Sequence, residues 1–353
     1  MPAATVGIAG LPVICVRGPS RSGKTSTCER VIPWLATRGV RAAWVKRTHH
    51  ALDLPHKASA RVWASGPAAM AVRTDDRVQL TLPPVPGDLD GLFRALPAGA
   101  DVVILETHSV EPFPTVVSEM AEPAEGEQVI GRWSFETLEG PVDHLGEAIL
   151  AALPEDLGLA RAIRAASVLH GGHGCAGTVL GARLALTGVG ALGIDWPDTR
   201  KRLLVVAETD RCAVDALQAV TGCRPGKRTL RLLDYGKLAA TFIDTWNGRA
   251  VRVAVRGDAR ERIGEWAPEG VSDRHERQRQ AYLRMPHAAL FLQTAVPADV
   301  SQFDLPGPPR RRVVCARCRE EVSDGRDVVT DGGTFCRPCA ACEGQPVTRG
   351  DRP

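Results

Sequence analysis

One octapeptide constrains this chain more than any other stretch: Gly18-Pro19-Ser20-Arg21-Ser22-Gly23-Lys24-Thr25. It satisfies G-x-x-x-x-G-K-[ST], the pattern of a loop that cradles phosphate with its own backbone. The flanks agree. Pro12-Val13-Ile14-Cys15-Val16 reads as a buried strand leading in, and a helical pattern runs out from Lys24 to about Arg38. Glycines let the backbone close on an anion with its N–H groups turned inward. The helix start adds partial positive charge. Lys24 would reach the terminal phosphates of a nucleoside triphosphate, and the Thr25 hydroxyl would sit on Mg2+. Gly18, Ser20, Arg21, Ser22, Gly23 and Ser26 complete the candidate cradle. The bland alternative is a glycine-rich turn that matches by chance; a strand before it and a helix after it argue against that.

A chain of 353 residues has room for two or three domains. Its 44% hydrophobic and 24% charged content is ordinary for a globular protein. A net charge of +3 does not demand a nucleic-acid partner. No apolar run approaches membrane-spanning length, so no membrane partner is expected. The N-terminus lacks a basic segment followed by an apolar core, so no signal peptide is expected and the compartment inferred is the cytoplasm. Five of the ten cysteines crowd the last forty residues. In a reducing compartment they read as metal ligands or reactive thiols, not disulfides.

Residues 11–153 alternate apolar and helical segments, which predicts an α/β domain with a parallel sheet. The expected strands are Pro12–Val16, Arg41–Lys46, Ala69–Arg73 and Asp101–Glu106. Pro33 should kink the first helix or end it early. Residues 112–140 read as mixed, with an exposed loop around Pro123 to Glu127. Glu106 closes an apolar strand and can hold Mg2+ or its water; Asp101 reads as structural. Strand two runs into Lys46-Arg47-Thr48-His49-His50. The carboxyl ends of strands face the ligand crevice in open α/β sheets, so Lys46, His49 and His50 are candidate ligand contacts. Adjacent side chains point apart in extended chain, so the two histidines do not share one metal. A solvated turn explains them equally well.

The P-loop, the strand ending Val45-Lys46 before His49-His50, the segment Asp53-Leu-Pro-His-Lys57-Ala-Ser59 and the strand ending in Glu106 together resemble the MobB family. These are nucleotide-binding accessory proteins of molybdopterin guanine dinucleotide synthesis. The resemblance implies GTP as the nucleotide, weak hydrolysis at most, and a homodimer. Family members commonly read Pro-Gly-Lys-Asp-Ser where this chain has Pro55-His56-Lys57-Ala58-Ser59.

Residues 155–300 read as a second, α+β domain. In Leu169-His170-Gly171-Gly172-His173-Gly174-Cys175, glycines make a tight loop and a helical pattern follows to about Leu186. Cys175 therefore falls near a helix start. Cys212 recurs in the same setting after the strand end at Val205–Glu208, with Asp215 on its face. His173, Cys175 and Cys212 make a candidate soft-metal or redox pocket. Small buried hydrophobes are the alternative for Cys175, Cys212 and Cys223, and for Cys223 it is accepted. Asn247-Gly248, between two apolar runs, marks a hairpin. Lys227, Arg228, Arg231 and Lys237 suggest an anion-binding rim, or a solvated basic face.

The histidine–glycine–cysteine loop, Glu208-Thr-Asp-Arg-Cys212-Ala-Val-Asp215, Thr221-Gly-Cys223 with Gly226-Lys227, and Asp234-Tyr-Gly-Lys237 resemble the FmdE family. That family takes its name from a subunit associated with formylmethanofuran dehydrogenase. Its loop usually reads His-Gly-His-x-Cys; here Gly171 holds the first histidine's place and His170 precedes it.

After a proline-rich linker at Asp304–Pro309, Cys315-Ala-Arg-Cys318 and Cys336-Arg-Pro-Cys339 stand seventeen residues apart, within residues 310–345. Two CxxC knuckles at this spacing predict a zinc ribbon, with Cys342 as an extra thiol. Zn2+ would fold a segment too small for its own core.

The two resemblances imply a GTP-binding accessory protein for molybdenum or tungsten cofactor synthesis, or for delivery to a client dehydrogenase. Its partners would be molybdopterin or the enzymes that make it, and a molybdenum or tungsten dehydrogenase. No residue is assigned a catalytic role. The alternatives are a metal-binding scaffold or sensor without chemistry of its own, and an enzyme using Cys175 or Cys212.

Overall fold

Apolar runs without alternation become inner strands of a parallel sheet, buried on both faces. The computed structural model describes residues 11–46, 58–65, 67, 70–73, 75–81, 100–134 and 140–341. The chain divides into two compact units, Met1–Val179 and Leu180–Pro353.

In the first unit, β1 (Val13–Arg17) feeds the P-loop and helix α1 (Lys24–Ala36). Then come β2 (Ala42–Lys46), α2 (Ala58–Ala64) and the pair β3 (Met70–Arg73) and β4 (Val78–Thr81). Three more strands follow: β5 (Val102–Thr107), β6 (Thr115–Ser118) and β7 (Val129–Trp133). The sheet order is β2-β5-β1-β6-β7, parallel throughout. Every residue of β1, β5 and β6 is buried. One face packs Ile14, Val16 and Ile104 against Cys28, Val31 and Leu35 of α1. Trp133, Leu145 and Ile149 close that layer, the last two from α3 (Asp143–Ala152). The other face buries Val13, Cys15, Val103, Leu105 and Phe113. Each such side chain contributes about 1.5–3 kcal/mol relative to exposure.

Three expectations are corrected here. The segment expected as a third parallel strand is β3, which pairs antiparallel with β4 in a separate hairpin. Its residues are largely exposed and offer no apolar face to the sheet. Residues 112–140, read as mixed, contain β6 and β7. These strands are four and five residues long, too short for their periodicity to stand out. Pro33 does not end α1, which continues to Ala36. Proline removes one donor, here in the last turn, and buried Leu35 and the Thr37 N–H bond to the Pro33 carbonyl hold that turn.

Helix α4 (Leu157–Leu169) starts at Asp156, whose side chain accepts the Leu159 N–H at 2.8 Å. Its Arg164 donates to the Ala100 carbonyl at 3.3 Å, and its Arg161 pairs with Asp101. Asp101 also accepts the Arg41 N–H at 2.8 Å, which makes it structural, as expected. Helix α5 (Ala176–Leu192) contains the division between the units.

In the second unit, β8 (Leu203–Ala207) leads to α6 (Ala213–Thr221), which ends on Gly222 at φ +76. Then follow β9 (Leu230–Leu232), β10 (Ala239–Asp244) and β11 (Ala250–Val255). The Asn247-Gly248 hairpin forms as read, with Gly248 at φ +73. Three helices come next: α7 (Ile263–Trp266), α8 (Arg274–Arg284) and α9 (His287–Leu290). Strand β12 (Phe291–Val296) completes the sheet order β12-β11-β10-β8-β9, in which only β8 and β9 run parallel. Gly188 of α5 lies against Phe242, whose ring a Cβ would meet at 2.3 Å.

The terminal module is two hairpins and a short helix. They are β13 (Arg312–Val314) with β14 (Glu321–Ser323), β15 (Asp327–Thr330) with β16 (Gly333–Cys336), and α10 (Arg337–Ala341). The expected linker is tied down. Arg228 bonds the Asp324 carboxylate and the Phe303 carbonyl. Asp304 pairs with Arg231 at 2.6 Å and Arg326 at 3.0 Å. Arg228 and Arg231 therefore dock the ribbon and do not form the rim their spacing suggested. Among the described residues, no helix is long and apolar enough to cross a membrane.

Candidate nucleotide site and cysteine centres

The P-loop sits at the carboxyl end of β1, between β5 and β6. Arg21 (φ +61) and Gly23 (φ +87) are both left-handed, which turns successive N–H groups to one side. Gly18 is obligatory by contact: a Cβ there would meet Ser22 Oγ at 2.5 Å and Ser118 Cβ at 2.8 Å. The Trp133 indole, fully buried at the end of β7, donates to the Ser22 carbonyl at 3.0 Å and clamps the loop from below. Ser22 Oγ is buried without a hydrogen-bond partner among the described residues. An orphaned hydroxyl and a cradle that a single methyl would fill both fit a phosphate ligand.

Lys24 is buried, and its Nζ donates to the carbonyls of Gly18 (2.9 Å) and Pro19 (2.7 Å). Burial lowers its pKa, which the nearby Glu106 carboxylate partly offsets. Thr25 Oγ1 donates to Glu106, 3.0 Å and 3.1 Å from the two carboxylate oxygens. The β2–β5 register sets Lys46 opposite Glu106. Lys46 Nζ lies 2.9 Å from Glu106 Oε1 and donates to Thr25 Oγ1 at 3.3 Å. Three elements thus bring Thr25, Lys46 and Glu106 together. Thr25 and Glu106 are oxygen donors of the kind Mg2+ takes, and Glu106 is 3% exposed. Ser20 and Arg21 are exposed on the loop, and Ser26 on α1. His49, His50 and most of the segment 53–59 lie outside the described residues.

Two supports escaped the sequence reading because β6 and β7 were not read as strands. One is Trp133. The other is Arg17, one residue before Gly18. Its guanidinium makes a fork to Glu127 (2.6 and 2.7 Å) and donates to the Glu122 carbonyl at 3.0 Å, pinning the loop between β6 and β7. Hydrogen bonding from Arg17 holds the Glu127 carboxyl below its ordinary range. Cys28, beneath the site, has its thiol pushed up to about 12 by burial and is inert packing.

The four ribbon cysteines, Cys315, Cys318, Cys336 and Cys339, offer sulfur atoms that all lie within 4.8 Å of one another. Burial pushes the Cys315 thiol up, yet backbone N–H groups of Cys318, Cys336 and Arg317 pull harder and set it at about 6. Such N–H···S bonds favour the thiolate that a metal requires. The ribbon helix buries none of its residues. Four thiols around one point in a module without an apolar core fit Zn2+. Cys342 lies outside the described residues.

His173 is exposed in its glycine loop, and its ring centre is 6.3 Å from that of His170, the residue capping α4. Cys175 precedes α5; its N–H bonds Thr178 Oγ1 at 3.0 Å, and the Thr178 N–H reaches its sulfur at 3.4 Å. Cys212 is the N-cap residue of α6, with Asp215 in the first turn. Cys223 is 1% exposed, and burial pushes its thiol up to about 11, so the hydrophobe reading holds.

A parallel sheet with a P-loop after β1 and an acid closing β5 defines the P-loop NTPase fold class, here followed by an α+β domain and a cysteine ribbon. Comparison with known proteins narrows the class. Residues 13–129 match the family described as molybdopterin guanine dinucleotide synthesis protein B, MobB. Residues 170–294 match the family described as FmdE, molybdenum formylmethanofuran dehydrogenase operon. A molybdopterin-guanine dinucleotide biosynthesis adapter protein of Haemophilus influenzae is 32% identical over 120 residues, 32% of this chain and 67% of that protein. A probable S-adenosyl-L-methionine-binding protein of Archaeoglobus fulgidus is 31% identical over 103 residues, 28% of this chain and 28% of that protein. The solved FmdE-like protein of Syntrophus aciditrophicus, described as of the tungsten formylmethanofuran dehydrogenase, aligns at 20% identity and a TM-score of 0.36, over 53% of this chain and 95% of that one. The chain belongs to the MobB family through residues 13–129 and carries an FmdE-family domain at residues 170–294.

Proposed function

We propose that this chain is a GTP-binding accessory protein of molybdenum or tungsten cofactor synthesis, acting in molybdopterin guanine dinucleotide formation or in handing the cofactor to a client dehydrogenase. The observation that carries this reading is the convergence of Lys24, Thr25, Lys46 and Glu106 on one P-loop. In it, the P-loop backbone and Lys24 hold the phosphates, and Thr25 and Glu106 hold Mg2+. Bound Mg2+ would neutralise phosphate charge. Glu106 and Lys46 would set the local field, and no residue is assigned to hydrolysis. As the sequence pattern suggests, His173, Cys175 and Cys212 would be soft-metal ligands of the FmdE-family region, and the ribbon would hold Zn2+. Family membership of both halves supports a common pathway.

Calorimetric titration with GTP, ATP and molybdopterin tests the reading. Binding of GTP in preference to ATP, lost on Lys24→Ala, is the expected result. No affinity for GTP and none for the pterin would sink it.

A second reading rests on the docked ribbon: a metal-holding scaffold for a molybdenum or tungsten enzyme, with GTP bound and not turned over. Absence of GTP hydrolysis together with a stably co-purifying dehydrogenase would favour it.

A further inference from the structure

The segment joining β11 to β12 folds back on itself as α7 and α8 and leaves a cleft of about 280 Å³. Its lining is Arg260, Ile263, Gly264, Arg274, Arg277 and Gln278. Three of these six are arginines, and no carboxylate lines the cleft.

Four neighbouring acids are engaged elsewhere. Asp258 pairs with Arg256 at 3.1 Å and Glu265 with Arg262 at 3.0 Å. Glu276 takes a fork from Arg279, 2.7 and 2.6 Å, and the Asp273 carboxylate caps α8 by accepting the Glu276 N–H at 2.7 Å. Arg260, Arg274 and Arg277 make no ion pair within 4.0 Å among the described residues. Like charges gathered on one concavity repel, and an anion relieves that. Guanidinium forks match the oxygens of a phosphoryl group, two donors at a time. The Gln278 amide donates one N–H to Tyr282 Oη at 3.1 Å and has its second N–H left to offer.

The cleft lies near the lower end of small-molecule pockets, about 300–1,000 Å³, and is larger than one phosphate needs. Ile263 supplies an apolar wall. Gly264 lines the cleft without a side chain: a Cβ there would meet nothing within 4 Å, and its backbone is not left-handed. The ligand therefore carries an organic body beside its charged group.

We propose that this cleft binds a small organic phosphate, with Arg260, Arg274 and Arg277 on the phosphoryl group and the body of the molecule against Ile263 and Gly264. The proposal does not rest on the nucleotide reading of the P-loop.

The test uses the full chain carrying Lys24→Ala, so that the P-loop does not compete for the probes. Phenyl phosphate and inorganic phosphate are titrated by calorimetry. Phenyl phosphate is expected to bind at least tenfold tighter than inorganic phosphate. Arg277→Gln should weaken both by about tenfold, as expected for losing one charged hydrogen-bonding partner. Gly264→Leu should place a side chain in the cleft, weakening phenyl phosphate while sparing inorganic phosphate. Leucine is a better helix former than glycine, so this variant should fold, and an unchanged melting temperature checks it. Equal affinity for the two probes, binding unmoved by Arg277→Gln, or no binding of either at millimolar concentration would each overturn the proposal.

Discussion

Lys46 Nζ lies 2.9 Å from Glu106 Oε1, and the β2–β5 register that pairs these two residues places the contact beside Thr25. Lys46 and the Thr25 hydroxyl therefore engage the same carboxylate, the group that would help hold Mg2+. A Mg2+ held by Glu106 would compete with Lys46 for that carboxylate, so Mg2+ with a nucleotide should weaken the Lys46–Glu106 pair.

Removing this lysine takes from Glu106, 3% exposed, its paired ammonium and leaves Lys24 as the nearby cation. Lys46→Ala should lower stability by about 1–3 kcal/mol, toward the lower figure because the lysine side chain is 38% exposed. Mg2+ with GTP should restore most of the loss. Calorimetric melting with and without the pair reads both effects, and a variant as stable as the parent would contradict the contact.

Gly18→Ala should damage the site more than the fold. The new methyl would press on Ser22 and Ser118, at 2.5 and 2.8 Å, inside the phosphate cradle. Overpacking of this kind costs about 1–3 kcal/mol. The strain falls on the loop, so nucleotide affinity should drop by more than tenfold while the melting temperature moves by a few degrees. Equal affinity in parent and variant would show that the loop does not close on phosphate.

The Arg17–Glu127 pair predicts a pH signature. Arg17 holds the Glu127 carboxyl below its ordinary value of 4.5, so the folded state takes up this proton at lower pH than the unfolded state. Its contribution is complete above 4.5 and drains away as pH falls through the depressed folded value. The stability difference between the parent and Glu127→Gln should stay constant from pH 7 to about 5 and narrow below that. Denaturant titrations across this range measure it; a difference independent of pH would mean that the pair is not formed.

Zn2+ should be what folds the ribbon. Metal binding to such cysteine sets is worth about 10–16 kcal/mol in isolated modules. Chelation should therefore open residues 310–341 to hydrogen exchange while β8 to β12 stay protected. Cys336→Ser should lower the metal-to-chain ratio by one. Metal still bound to that variant, and lost on Cys212→Ser, would locate a second centre in the FmdE-family domain. An unchanged ratio in Cys336→Ser would remove the ribbon assignment. Arg228→Ala should free the ribbon without emptying it, since Arg228 docks Asp324 and touches no sulfur.

Local signals were legible wherever chemistry demands a residue type at a fixed spacing. The P-loop, the acid ending β5, the Asn247-Gly248 hairpin and the two CxxC knuckles all depend on near neighbours in the chain. So does the burial of Cys223, which follows from its place just past a helix. Elements set by long-range pairing were not legible. Strands β6 and β7 carry too few residues to show a period, and each becomes a strand because a neighbour completes its hydrogen bonds. Segment 70–73 reads like a strand and is one, but its exposed side chains leave it in a hairpin and not in the main sheet. Pro33 shows the same limit: a helix-ending residue is tolerated where the core holds the turn around it.

The octapeptide at residues 18–25 by itself determined a phosphate-cradling loop, because backbone closure and its counter-charge need glycine and lysine at set places. Only the tertiary structure decided what holds that loop. Trp133 and Ser118 arrive beneath it on strands over ninety residues away, and Lys46 meets Glu106 through sheet register. The same division holds at the other end of the chain. Cysteine spacing determined a four-sulfur ribbon, whereas Arg228 and Arg231 became its docking residues because folding brought Asp324 and Asp304 to them. A charge's partner is chosen by distance in space, and distance along the chain does not report it.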